Sequence, residues 1–394
     1  MQQISEELLR RNQNAFYVFD TAVLKQRIAY LREHLPADTA ICYAVKANPF
    51  IVRELAEETE RLEICSPGEA DICTALGVPS EKMVISGVYK TPSSIEKLVS
   101  DSRFAGIFTA ESVLQFRLLK ELSEKYAKNL KVLLRLTNDS QFGMDERDIR
   151  HIVANRSACK WVDIAGIQYF SGTQKTSLKK YGRELRYLDR FLQSLKEEEG
   201  YEAQELEYGT GFPVSYFKGE ESDEEALLTG FSELVGQMTS KPKLIVEMGR
   251  SIAASCGRYF THIVDIKQNC GLNYALIDGG MHQLVYFGQV MAMKQPYLSV
   301  AGKQDTVKDK LWTICGALCT MNDIVVKQIE LPDISVGDVL CFENAGAYCM
   351  TEGISLLLSR DLPAVYIQKE DGTIYRVRET TETKEINLSR YERM

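Results

Sequence analysis

Short apolar segments of strand length alternate eight times with segments of helical period between residues 41 and 247. The strand candidates are residues 41–47, 62–65, 83–86, 106–109, 131–136, 164–168, 205–208 and 244–247. Between two of them, Leu185, Leu188, Leu192 and Leu195 follow a helical spacing on one face. Because parallel strands need long crossover connections, this alternation predicts an α/β fold, a (β/α)8 barrel of the TIM type.

The pattern changes after about residue 255. Short β-type runs separated by turn signals then dominate, at residues 261–266, 274–277, 311–315, 324–328, 339–342 and 364–367. This predicts a C-terminal all-β domain. The strand-like run Phe16–Asp20 precedes the first barrel helix and could pair with that domain. We therefore predict a barrel at residues 22–255 and a β-rich domain formed by residues 1–21 and 256–394.

Composition excludes several classes of partner. The formal net charge of −8 argues against nucleic acid or an anionic membrane, since either needs a basic face. No apolar run approaches the ~20 residues of a membrane span, and residues 1–14 lack the apolar stretch of a secretory signal. Ten cysteines without a CxxC pair, and only four histidines, predict reduced thiols and no metal site. We expect a cytoplasmic protein.

Three features fall at the ends of predicted barrel strands, where barrels carry their chemistry. Lys46 lies near the end of the first strand among apolar residues, and desolvation would lower the pKa of its amine toward nucleophilic use. Gly209-Thr-Gly211 follows the seventh strand, where close backbone approach suits a phosphate. Glu247 and Arg250 end the eighth strand, and they suit a pyridine nitrogen and a phosphate.

Each feature also has a simpler interpretation when taken alone. Lys46 could extend out of the strand end into water. The two glycines could form an ordinary turn, and Glu247 could pair locally with Arg250. Together, however, an amine, a phosphate cradle and an acid for a ring nitrogen are the groups that pyridoxal 5'-phosphate requires.

These residues resemble the fold-type III pyridoxal-phosphate decarboxylases, which act on diaminopimelate, ornithine, arginine and related substrates. The resemblance covers roughly residues 15–365, with matching motifs at residues 43–49, 66–69, 209–213 and 247–250. It implies that Lys46 holds the cofactor as a Schiff base and that Glu247 faces its pyridine nitrogen. The cofactor-binding residues that it implies are Lys46, Glu63, Phe170, Thr173, Gly209, Thr210, Gly211, Glu247, Gly249, Arg250 and Tyr348.

The resemblance extends into the β-rich domain. Residues 315–319 resemble the segment whose final cysteine, here Cys319, protonates the substrate carbon in the partner subunit's active site. Residues 343–348 resemble the segment whose tyrosine, here Tyr348, contacts the phosphate. The family pattern implies a head-to-tail homodimer with shared active sites and Lys46, Cys319 and Glu247 as catalytic residues.

Three departures from the family pattern concern rate and substrate. Phe170 stands where the family places a histidine against the cofactor ring, and a phenyl ring can stack but cannot donate a proton. Tyr286 stands where diaminopimelate decarboxylases place an arginine for the distal end of the substrate, and Thr320 replaces an acid. Diaminopimelate is therefore not the expected substrate. Candidate substrate contacts are His282, Tyr286, Thr320 and Asp323.

The predicted function is decarboxylation of an amino acid, either a diamino acid or a derivative. A first alternative is a substrate tethered to an acyl-carrier protein, which would need no distal charge recognition. A second is a racemase, which Glu247 and Cys319 disfavour because racemases of this fold generally place an arginine at the pyridine nitrogen. A third is an inactive regulatory homologue, which Phe170 keeps open.

Overall fold

The protein is described by a computed structural model over residues 6–303 and 310–390. The chain divides into two compact units. One consists of Ile28–Pro213 and Asp223–Ile252, and the other of Met1–Arg27, Val214–Ser222 and Ala253–Met394, as far as these are described. The segment Val214–Ser222 thus groups with the second unit, whereas the sequence-based division places it in the barrel.

The first unit is a closed barrel of eight parallel strands. Strand β1 (Phe16–Asp20) belongs to the other unit, and the barrel begins with the next strand along the chain. The barrel strands are β2 (Ala40–Ala44), β3 (Arg61–Ile64), β4 (Met83–Ile85), β5 (Ile107–Ala110), β6 (Leu130–Leu136), β7 (Val162–Phe170), β8 (Glu205–Gly209) and β9 (Lys243–Met248). Pairing of β9 with β2, with Ala40 opposite Ile245, closes the ring. The predicted TIM-type fold is confirmed.

Helices connect the barrel strands and flank them in the chain. They are α1 (Glu6–Arg11), α2 (Thr21–His34), α3 (Val52–Glu58), α4 (Pro67–Ala75), α5 (Pro92–Ser100), α6 (Val113–Tyr126), α7 (Glu146–Ala154), α8 (Leu178–Glu199), α9 (Glu224–Gly236), α10 (Arg250–Ala253) and α11 (Lys384–Asn387). The start of α4 shows how the sequence sets a boundary. Ser66 Oγ accepts from the Glu69 N–H, Pro67 occupies the first helical position, and the Glu69 carboxylate accepts from the Cys65 N–H.

The interior of the barrel combines an apolar layer with buried charged side chains. The apolar layer consists of Ala40, Cys42, Val84, Ile107, Leu133, Ala165 and Ile245. Side chains alternate between the two faces of a strand, so residues two apart along one strand point into the same interior. Since all eight strands run the same way, the residues that follow their carboxyl ends gather at one end of the barrel.

The second unit is a mainly antiparallel sheet. Its strands after β1 are β10 (Gly257–Asn269), β11 (Leu272–Ile277), β12 (Leu298–Val300), β13 (Lys310–Cys315), β14 (Ile324–Leu331), β15 (Val339–Phe342), β16 (Ala364–Gln368) and β17 (Ile374–Arg378). The order is β14-β13-β11-β10-β1-β16-β17, and β15 pairs with β10 and β12. Strand β1 lies antiparallel to β10 and parallel to β16, so the predicted pairing of Phe16–Asp20 with this unit is confirmed.

Two strands of this unit escaped sequence-based prediction, for different reasons. Strand β12 has only three residues, which is too few for a visible alternation. Strand β17 lies at the edge of the sheet with three central residues exposed, so it lacks the apolar pattern of a buried strand.

Two further findings concern the chain as described. No helix within residues 6–303 and 310–390 is both long enough and apolar enough to cross a bilayer. All ten cysteines fall in this part of the chain, and none of them forms a disulfide there.

Candidate active site

The sequence predicts Lys46 on the first barrel strand, within residues 41–47. In the structure it lies just beyond that strand. Strand β2 ends at Ala44, and Lys46 is the middle residue of a 3₁₀ turn, Val45–Ala47. The following residues explain the early end. Asn48 accepts from the Phe50 N–H through its side chain, and Pro49 begins a second 3₁₀ turn, where a ladder hydrogen bond is impossible. The turn carries the lysine to the carboxyl end of the barrel.

The Lys46 ammonium meets two carboxylates from neighbouring strands. Its Nζ lies 2.5 Å from Glu63 Oε2 on β3 and 3.8 Å from Glu247 Oε1 on β9. Both acids are buried, whereas the lysine side chain is 39% exposed, so the amine remains reachable from the barrel mouth. Cys65 Sγ is a further neighbour, 3.4 Å from Nζ.

The two carboxylates differ in their affinity for protons. Burial raises the pKa of Glu63, but attraction to Lys46 and their hydrogen bond outweigh it, so the pKa of Glu63 lies below its usual value. Burial and the nearby Glu63 charge raise the pKa of Glu247 well above its usual value, although Lys46 opposes them. A proton therefore binds more tightly to Glu247 than to Glu63.

A chain of buried polar groups supports Glu247 from inside the barrel. Gln168 Nε2 on β7 donates to Glu207 Oε1 at 2.9 Å and to Glu247 Oε2 at 3.3 Å. Burial raises the pKa of Glu207 to about 7, against the attraction of Arg61 at 3.5 Å. Arg61 also donates to both oxygens of Glu205 at 2.8 Å. Sequence reasoning missed this chain, although Glu205 and Glu207 alternate with Leu206 and Tyr208 and so share one strand face.

The predicted glycine loop, Gly209-Thr-Gly211, begins at the last residue of β8 and contacts the segment after β7. A Cβ on Gly209 would collide with the Phe170 ring, and a Cβ on Gly211 would collide with the Gly172 carbonyl oxygen. Gly211 also has a positive φ of 61°, which disfavours other residues. The Thr210 N–H donates to the Glu247 carbonyl oxygen at 3.3 Å. The loop, Phe170 and Glu247 thus form one assembly at the barrel mouth.

One feature of this closely packed assembly suits a phosphorylated ligand. Absence of a Cβ at both glycines lets the loop pack directly against Phe170 and Gly172. Thr210 Oγ1 is buried and, among the described residues, has no hydrogen-bond partner. The remaining residues predicted for cofactor binding in this unit are Thr173, Gly249 and Arg250. Arg250 is buried at the start of α10, and Thr173 follows Gly172 by one residue.

The β-rich unit carries the other predicted residues. Cys319 is exposed on a turn that Asp323 organises, because the Asp323 carboxylate accepts from the Met281 and Leu318 N–H groups, each at 2.8 Å. Thr320 lies in the same turn and is exposed. Tyr348 adopts a positive φ of 64°, which is uncommon for a residue with a side chain.

Among the predicted substrate contacts, Tyr286 is hydrogen-bonded within this unit, and His282 is buried there. The Tyr286 hydroxyl donates to the Glu343 carbonyl oxygen at 2.5 Å, and its ring packs against Tyr216 and Phe217. His282 is buried, and burial lowers the pKa of its imidazole. Tyr286 and Asp323 form hydrogen bonds that stabilise this unit. Contact with the substrate by Tyr286, Asp323, His282 or Thr320 stays a prediction.

Comparisons with known proteins agree with the geometry. Residues 21–254 match the family described as "Pyridoxal-dependent decarboxylase, pyridoxal binding domain". The chain is 26% identical to L-glutamyl-[BtrI acyl-carrier protein] decarboxylase of Niallia circulans, covering 94% of this chain and 92% of that protein. It is also 26% identical to diaminopimelate decarboxylase of Aquifex aeolicus, covering 87% and 84%. The crystal structure of diaminopimelate decarboxylase from Helicobacter pylori with L-lysine superposes with a TM-score of 0.84 at 21% identity, covering 97% and 98%.

The residues at the barrel mouth fit pyridoxal phosphate. Lys46 offers a reachable amine, Glu247 is a buried acid with a raised pKa beside it, and the Gly209–Gly211 loop carries the unsatisfied hydroxyl group of Thr210. The cofactor is pyridoxal 5'-phosphate, and the reaction is decarboxylation of an amino acid. The family match covers more than half of the chain, which therefore belongs to the pyridoxal-dependent decarboxylases.

Proposed function

We propose that Lys46, Glu247 and Cys319 carry out this decarboxylation, on an amino acid whose distal end is not held by an arginine. The observation that supports the proposal most directly is the position of Lys46 Nζ, 2.5 Å from Glu63 and 3.8 Å from Glu247 at the open end of the barrel. An amine between two acids of different proton affinity can be held, released and reprotonated without leaving the site.

Bound pyridoxal phosphate supplies an electron-accepting ring that takes up the electron pair left when a carboxylate departs as carbon dioxide. The residues of this chain prepare that chemistry. Lys46 provides the amine that holds the cofactor, and Glu63 accepts and returns the proton of that amine. Glu247 presents its proton to the ring nitrogen, and Gln168 fixes the direction of the Glu247 carboxyl group. Phe170, beside Gly209, provides an apolar face in place of a proton donor.

The phosphate site in this proposal combines backbone with two side-chain types. Gly209, Thr210 and Gly211 provide the cradle, Arg250 the positive charge, and Thr173 a hydroxyl group. Gly249 precedes Arg250 and lets the chain turn from β9 into α10. Tyr348 of the β-rich unit would add a phosphate contact.

We also propose a head-to-tail homodimer in which Cys319 acts in the partner's site. Exposure of Cys319 on its turn supports this, and Met321 in the same turn is 93% exposed. An exposed apolar side chain beside a proposed catalytic thiol is expected at a surface that a second copy covers. Light scattering coupled to gel filtration should give the mass of a dimer.

Two classes of substrate are compatible with this proposal, a free diamino acid and an amino acid attached to a carrier protein. A free diamino acid needs a charged or polar partner for its far end, but the Tyr286 hydroxyl already donates to the Glu343 carbonyl oxygen. A substrate attached to an acyl-carrier protein has no free far end, and one relative at 26% identity bears the name of a decarboxylase for a glutamyl group on such a carrier. This favours a tethered or otherwise modified amino acid over diaminopimelate.

The test measures carbon dioxide from three sets of substrates given to cofactor-loaded protein. These are L-amino acids, D-amino acids, and acyl-carrier-protein thioesters formed through the side-chain carboxyl group of L-glutamate or L-aspartate, so that the α-carboxylate stays free to leave. Release from the thioesters alone supports the tethered class, and release from one free amino acid names a different class. Borohydride treatment should attach the cofactor's mass to the Lys46 peptide in the wild type and not in Lys46→Ala, with Lys196→Ala, an exposed lysine on α8, as the matched control.

A further inference from the structure

A buried cluster lies behind the glycine loop and includes no residue that sequence analysis selected. Lys175 is 3% exposed, and its Nζ lies 2.9 Å from Glu184 Oε2 and 3.1 Å from the Tyr208 hydroxyl. The Tyr208 hydroxyl in turn donates to Glu184 Oε2 at 2.5 Å, and Ser171 Oγ donates to Glu184 Oε1 at 2.6 Å. We call Lys175, Glu184, Tyr208 and Ser171 the Lys175 cluster.

The ammonium group of the Lys175 cluster also faces two aromatic rings. Lys175 Nζ lies 4.8 Å from the centre of the Tyr181 ring and 4.9 Å from that of Tyr208. Burial lowers the pKa of Lys175 to about 8, while the charge of Glu184 opposes this effect. The lysine thus remains mainly charged at neutral pH, inside the protein, with a carboxylate and two rings around it.

Stability alone does not account for such a pair. Removing two charges from water costs several kcal/mol for each ion, and apolar residues of similar volume often serve stability equally well or better. A buried ion pair next to a binding loop therefore calls for a role in that loop.

Lys175 contacts both segments that the proposed function assigns to the phosphate. Its backbone N–H donates to the Gly211 carbonyl oxygen at 2.9 Å, and its Nζ lies 3.5 Å from the Gly209 carbonyl oxygen. Its Cε would lie 3.0 Å from a Cβ on Gly211. Lys175 also follows Thr173 by two residues in the segment after β7. Lys175 thus joins the segment after β7 to the Gly209–Gly211 loop by contacting carbonyl groups of that loop.

We propose that Lys175 is a positioning residue for the cofactor phosphate. Its ammonium, held by Glu184 and Tyr208, ties the segment after β7 to the Gly209–Gly211 loop through the Gly209 carbonyl oxygen, and the Glu184 carboxylate balances its charge. The proposal rests on the assignment of this loop to the phosphate under the proposed function. Since the Lys175 side chain supports this loop, its loss should weaken binding of the phosphate group more than binding of the pyridine ring.

The experiment compares two ligands that differ only in the phosphate. Apoprotein is titrated with pyridoxal phosphate and with pyridoxal. The Kd for pyridoxal divided by the Kd for pyridoxal phosphate measures the contribution of the phosphate. For Lys175→Met, which preserves length but removes the ammonium group, we expect this ratio to fall about tenfold, by analogy with the smaller losses seen when residues that support metal ligands are replaced. Lys179→Met, an exposed lysine on α8, is the matched control and should keep the wild-type ratio.

The results distinguish a failure of the role of Lys175 from a failure of the assignment of the Gly209–Gly211 loop to the phosphate. A wild-type ratio in a folded Lys175→Met protein overturns the role of Lys175 while leaving the phosphate loop in place. A wild type that binds both ligands equally overturns the loop assignment, and the role of Lys175 with it. If Lys175→Met does not fold, the double variant Lys175→Met/Glu184→Leu removes both charges and restores apolar packing. A wild-type ratio in that double variant also overturns the proposal.

Discussion

Gln168 links the proposed ring-nitrogen acid to the interior of the barrel, because its Nε2 donates to Glu247 Oε2 at 3.3 Å and to Glu207 Oε1 at 2.9 Å. One amide thus orients two buried carboxyl groups that would otherwise repel each other when both are ionised. Burial of the amide next to two acids makes its hydrogen bonds costly to lose.

Gln168→Leu should weaken both the fold and the binding of cofactor. Two buried carboxyl groups lose a donor, so we expect the free energy of unfolding in urea to fall by about 1–3 kcal/mol. The Kd for pyridoxal phosphate should rise as well, since Glu247 loses its orientation. Gln193→Leu removes an amide that bonds to Asp189 on α8 and should leave the cofactor Kd unchanged. Equal cofactor binding in Gln168→Leu and the wild type would contradict the role given to Gln168.

Glu207 should make stability depend on pH. Burial raises its pKa from an ordinary 4.5 to about 7 in the folded protein. The folded state therefore binds this proton more tightly than the unfolded state. The resulting stabilisation is complete below pH 4.5 and is lost as pH rises through 7.

Glu207→Gln should remove that contribution. Relative to the wild type, the variant should gain stability between pH 5 and pH 8, by up to about 3 kcal/mol. Urea unfolding at several pH values measures the difference between the two proteins, which cancels the titration of other groups. A difference that stays constant over this range would show that Glu207 does not titrate there.

Gly211→Ala should damage the phosphate site. The position has a φ of +61°, and a Cβ there collides with the Gly172 carbonyl oxygen, so the two loops must move apart. The left-handed conformation alone costs an alanine about 1–2 kcal/mol. We expect a weaker affinity for pyridoxal phosphate and a lower Tm. Gly236→Ala is the matched control, because it lies in α9 with open space around its Cβ, and it should leave both values near those of the wild type.

Mixing two impaired variants tests whether the active sites are shared. Lys46→Ala and Cys319→Ala should each have little activity alone. In a mixed dimer with shared sites, one site contains both native residues and the other contains neither. Random exchange of subunits should then restore about a quarter of wild-type activity. If Cys319 acts within its own subunit, the mixture stays as inactive as its components.

The sequence by itself determined the class of fold, the family and the neighbourhood of the chemistry. Eight apolar segments alternating with helical ones could form only a few architectures, and all eight strands lie where that alternation predicts them. Motif order predicts Lys46, the glycine loop and Glu247 as site residues, since local turn chemistry and strand ends are encoded by neighbouring residues.

Only the tertiary structure decided how those groups are supported. Lys46 lies on a 3₁₀ turn and not on a strand, and the Tyr286 hydroxyl donates to the Glu343 backbone carbonyl. The tertiary structure also brought Gln168 to Glu247, 79 residues away, and buried Lys175 against Glu184. Burial and pairing of polar groups depend on which strands and helices become neighbours, and a single sequence does not state the distance between residues far apart in the chain.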